Sequence, residues 1–126
     1  MEYEEKMYDV ERIPASDDLV AGSMFLLAGN VTLSGAGKYE RGEVLLRTSD
    51  GWGKATVSGI ATALEAAILA QGIVLEDDEA AGLGVYFTGT FNMRRVKVGS
   101  KQLREYDGQE QNAVIEGLRR HKIFLM

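Results

Sequence analysis

The stretch Gly35 to Leu46, GAGKYERGEVLL, holds the residues that come nearest to a phosphate cradle. Gly37 and Gly42 are separated by four residues, the spacing of a P-loop. That loop then needs a lysine for phosphate charge and a serine or threonine for magnesium. Glu43 and Val44 stand there instead, and a carboxylate repels phosphate. The residues therefore read as a bend at Ser34 to Gly37 and an Arg41-Gly42 step into a strand. Glu76-Asp77-Asp78-Glu79 is the densest acid cluster. Calcium loops place acids at alternate positions around a central glycine, so four consecutive acids read as a solvated turn. His121 is the single histidine, and no G-x-S-x-G elbow accompanies it for nucleophilic chemistry. A paired-carboxylate glycosidase site is open to a chain rich in acids, but a chain this short has little material for a deep cleft. Neither catalytic residues, a metal nor a cofactor is expected. Trp52, between Gly51 and Gly53, is either an exposed interface anchor or a lid folded onto the core.

The totals limit what must position such residues. A chain of 126 residues, 45% hydrophobic and 26% charged, points to one domain with a modest core. Fifteen glycines and one proline, Pro14, suit many tight turns between short strands. Without cysteine there is neither a disulfide framework nor a thiolate. The acidic opening MEYEEKMYDVE reads as no signal peptide, and no apolar run is long enough for a membrane helix. Residues 1–18 carry seven acids and two bases, net −5, whereas residues 94–126 carry four acids and eight bases, net +4. An acidic head and an interspersed basic tail argue against nucleic acid as partner, and the tail reads mostly as a solvated face.

Along the chain, residues 1–18 are too poor in aliphatics to form a core alone and read as a flexible N-terminal arm; residues 19–126 read as the globular domain. Within the arm, Tyr3, Met7, Tyr8, Val10 and Ile13 are apolar positions among charges. Tyr8 to Glu11 alternates like an edge strand seeking a partner, and Pro14 ends any ladder. Strands are expected at Met24 to Ala28, closed by Gly29-Asn30, and at Val31 to Leu33. Others are expected at Glu43 to Thr48, Lys54 to Ser58 after an Asp50-Gly51 turn, Ile73 to Leu75, Val85 to Phe91 with a bulge at Gly89, and Met93 to Val98. Gly59 to Gln71, GIATALEAAILAQ, is ambiguous and suits a short helix. A second helix follows Asp107, whose capping-box partner is Glu110. Ile123 to Leu125 must dock somewhere. The expected fold is mainly β with one or two short helices.

Four segments in this order, KYERGEVLL, ILAQGIVLEDD, VYFTGTFN and IEGLRRHKIFLM, resemble the bacteriophage head decoration protein D family. The matching steps are Arg41-Gly42, Gly72 to Asp77, Gly89 to Asn92, and Leu118 to Leu125. Lys122 departs from the pattern, standing where the family often has glycine. The resemblance implies a β-clip-like, compact single domain without enzymatic activity. It implies homotrimers on the outer surface of an expanded icosahedral head, at three-fold and quasi-three-fold sites. It also implies the major capsid protein as partner, a late virion component made in the host cytoplasm, and an arm that orders on the shell. Two rival classes remain: a small trimeric β-scaffold enzyme acting on nucleotides, and another virion component such as a head-completion or tail protein.

Overall fold

A computed structural model describes residues 18–34, 36–76 and 80–126. Among those residues it is mainly β, with one α-helix and ten strands. The strands in chain order are β1 (Val20–Ser34), β2 (Gly37–Tyr39), β3 (Val44–Thr48), β4 (Gly51–Lys54), β5 (Glu65–Leu69), β6 (Ile73–Leu75), β7 (Ala80–Phe91), β8 (Lys97–Val98), β9 (Lys101–Gln102) and β10 (Ile123–Leu125). The helix, α1, spans Gly108–Arg119. The main sheet has the order β1-β4-β3-β5-β7-β10. β1 also pairs with β7, so β1, β4, β3, β5 and β7 close into a ring, which leaves β10 outside as a parallel edge on β7. Closure removes the free edges that a twisted open sheet would present.

Both faces of this sheet are buried, which explains the unbroken apolar runs. On β3, Val44 and Leu46 enter one core and Leu45 the other. On β5, Ala66 and Ile68 divide from Ala67 and Leu69 in the same way. Successive strand residues point to opposite faces, so a strand covered on both sides needs no polar alternation. The first core lies under α1, joined by Val114, Leu118 and Ile123; the second lies under the β2–β6 pair, joined by Tyr39 and Leu75.

Several expectations change. Gly59 to Gln71 divides into a 3-10 turn at Ile60–Thr62 and the strand β5. Alanine is a weak strand former, but Ala66 and Ala67 pair with Leu46 and Leu45, and this packing overrides propensity. Gly29-Asn30 does not end a strand, because β1 runs through it. A Cβ at Gly29 would lie 2.5 Å from Cε2 of Phe87, so this glycine makes room for a cross-strand ring. The return strand after Asp50-Gly51 is Gly51–Lys54, not Lys54 to Ser58. Met93 to Val98 is a 3-10 turn, Met93–Arg95, followed by β8. β8 turns into β9 through Gly99 and Ser100, at φ 61° and 73°, the paired positive angles of a type I′ hairpin.

Other expectations are met. Gly89 has φ 146°, and the irregular register of β1 between Gly22 and Leu27 falls opposite it. The side chain of Asp107 accepts from the Glu110 backbone N–H, and the Glu110 carboxylate accepts from the Asp107 N–H. The tail docks as β10, with Ile123, Phe124 and Leu125 beside Gly89, Thr90 and Phe91.

Candidate functional site

The Arg41-Gly42 step is a junction of three elements. Gly42 donates to the Leu69 carbonyl at 2.8 Å, and its own carbonyl accepts from Lys97 N–H at 3.0 Å. Its φ is 92°, and a Cβ there would lie 2.2 Å from the Arg95 carbonyl oxygen. Only glycine permits this backbone approach. Arg41 donates to the Ala70 carbonyl. The next residue, Glu43, forms an isolated parallel bridge with Lys97. Gly42, one of the two glycines that suggested a phosphate loop, thus brings the 94–104 segment against β2 and β3.

Glu43 is wholly buried. Lys54, reaching from β4, places its Nζ 2.9 Å from Oε2 and 3.3 Å from Oε1. The same ammonium donates to the Lys38 carbonyl and to Ser100 Oγ, each at 2.6 Å, and lies 4.8 Å from the centroid of the Tyr39 ring. Oε2 makes no hydrogen bond; its compensation is the ammonium charge. The arrangement ties β2, β3, β4 and the β8–β9 turn together.

Cations gather beside this knot. Lys38, Arg41, Arg94, Arg95 and Lys97 line a cleft of about 560 Å³. A smaller adjoining cavity shares Arg94 and Arg95 and adds Arg104. Among the described residues, the acids on these walls are Glu40 and Asp18. Glu40 lies 3.1 Å from Lys97 and 3.6 Å from Lys38. The hydrogen bond and charge of Lys97, with Lys38 adding to them, hold its carboxyl below the usual range. Asp18 accepts from Arg95 Nε at 2.7 Å. Reading the basic tail as a solvated face missed this convergence, since its members are separated by more than fifty residues and meet only through the Gly42 junction.

The remaining candidates fall out as follows. Trp52 is half-buried on β4, packs on the second core and sits 6.1 Å from Phe87 between ring centroids. Tyr3, Met7, Tyr8, Val10 and Ile13 lie outside the described residues, as does most of the Glu76 to Glu79 cluster. His121 is part-exposed in the turn between α1 and β10. Among the described residues, no group of three or more acids and histidines is placed to hold a metal, and no helix is long and apolar enough to cross a membrane. Tyr106 donates to the Val98 carbonyl at 2.7 Å; burial pushes its phenol up, and the Glu110 and Glu105 carboxylates add to that. No protein-family model and no curated protein matches this chain.

Proposed function

We propose that this chain is a non-enzymatic decoration protein of a bacteriophage head. It binds as trimers to the outside of the expanded shell, at three-fold and quasi-three-fold sites, and cements neighbouring capsid subunits against the pressure of packaged DNA. The observation that carries this reading is the order of four segments, from KYERGEVLL to IEGLRRHKIFLM, across about residues 24–126. What supports it further is that three of the four steps in those segments have a backbone task. Gly42 admits the Arg95 carbonyl, Gly89 takes a positive φ in β7, and Ile123 to Leu125 docks on β7. A pattern set by such tasks is one that a fold retains.

In this reading the segment Met7 to Ile13 adds as a strand to the capsid protein. About six new main-chain bonds contribute roughly 1 kcal/mol each. Ordering the backbone costs roughly 1–2 kcal/mol per residue, so one arm alone binds weakly. Apolar contacts of Tyr8, Val10 and Ile13, and the linkage of three arms on one trimer, supply the surplus. Mixing the protein with undecorated expanded heads tests the proposal. Saturable binding is expected, and deletion of residues 1–13 removes most of it. A full-length protein that never sediments with such heads overturns the reading.

A further inference from the structure

The basic cleft has an unusual composition for a protein whose net charge is −5. Among the described residues its walls and those of the adjoining cavity hold six cations, Lys38, Arg41, Arg94, Arg95, Lys97 and Arg104, against two acids. Among the described residues Arg94 and Arg104 have no carboxylate within ion-pair distance, and both are exposed. Beside the cations the cleft carries Val74, which is 64% exposed. A ligand that satisfies both must bring carboxylates and apolar groups together. A phosphate backbone brings charge without the apolar part.

The chain contains such a ligand. Residues 1–17 carry six acids and two bases, net −4, opposite in sign to the cations that Arg94 and Arg104 add to the described walls. Met7, Tyr8, Val10 and Ile13 are interleaved with those acids. The segment also joins the domain at the cleft itself: Asp18, the residue that follows it, already rests on Arg95 at 2.7 Å and accepts from Asn92 Nδ2 at 3.3 Å. A segment tethered at the rim of its own site has an effective concentration in the millimolar range, so weak charge pairing suffices to hold it.

We propose that this cleft is a docking site for the acidic head of the same molecule, residues 2–13. The contact belongs to the free protein and competes with any partner that takes up either the head or the cleft. It stands independently of the shell-binding reading, since it is defined on the isolated chain.

The absence of cysteine makes a direct test available. Met7→Cys on the full chain, carrying a nitroxide, broadens backbone amide resonances that it approaches. Broadening is expected at Val74, Arg94, Arg95 and Gln102, and not at Ser49 to Gly51 in the β3–β4 turn. Reversing the two unpaired cations, R94E with R104E, is expected to remove more than half of it. R119E with R120E, the same charge change at the end of α1, is expected to leave it intact. If the first pair fails to fold, raising salt to about 0.5 M, where screening is shorter than the roughly 10 Å of 0.1 M, makes the same decision on the unreversed chain. Even broadening over the whole surface, or broadening that survives both charge reversal and salt, overturns the proposal. So does broadening that reappears undiminished when nitroxide-bearing chains are mixed with isotopically labelled chains lacking it, because the contact is then between molecules.

Discussion

Replacing Lys54 by methionine isolates the energetics of the buried knot. Methionine keeps most of the aliphatic stem and removes the ammonium. The Glu43 carboxylate, fully buried, is then left with Ser100 Oγ at 3.5 Å as its remaining contact. Breaking one partner from a buried pair costs about 3–5 kcal/mol, because an uncompensated charge stays in a poor dielectric. Lys54 is itself 30% exposed, so water reaches part of the vacated space and the lower end applies, about 3 kcal/mol. With an unfolding entropy of about 2.1 cal/mol/K per residue, this chain loses about 11 °C in Tm. Removing both charges, E43M with K54M, should recover most of that loss, since apolar replacement of a whole buried pair is often close to neutral. Thermal melts by circular dichroism at matched concentrations decide the matter. A K54M melting point within about 2 °C of the unmutated chain, or a double variant less stable than K54M, refutes the reasoning.

Three further substitutions have defined outcomes. Gly42→Ala combines positive-φ strain of about 1–3 kcal/mol with a backbone clash at Arg95 of similar size, so denaturant melts should show a loss of at least about 3 kcal/mol. Asp107→Ala removes the capping box of α1 and should cost about 1 kcal/mol in the same assay. Glu40→Gln tests the ion pairs of the cleft wall: the folded carboxyl titrates below its unfolded value, so its contribution is present above the ordinary carboxylate range and lost on acidification. The Tm difference between E40Q and the unmutated chain should therefore shrink as pH falls through that range, and a difference that grows on acidification contradicts the assignment.

Much of the scaffold was legible because local chemistry and tertiary context agree there. The Asp50-Gly51 turn, the Asp107 capping box, the Arg41-Gly42 step and the bulge at Gly89 each follow from backbone demands that only a few residue types meet. What was not legible depends on distant partners. β5 is strand because Leu45 and Leu46 lie beside its alanines, which no window over GIATALEAAILAQ contains. β1 continues through Gly29 because Phe87 crosses it. Glu43 is buried because Lys54 and Ser100 reach it from other elements. The cleft is hidden for the same reason, its cations drawn together by a glycine that tolerates a carbonyl at its Cα.

The most direct test of the decoration reading is a side-by-side binding measurement on unexpanded proheads and expanded, undecorated heads of one phage, with the full-length chain at equal concentrations. Trimers that engage three sites at fixed separation require the expanded lattice, so saturable binding to expanded heads with little or none to proheads is the predicted result. Equal binding to both, or binding to neither, contradicts it.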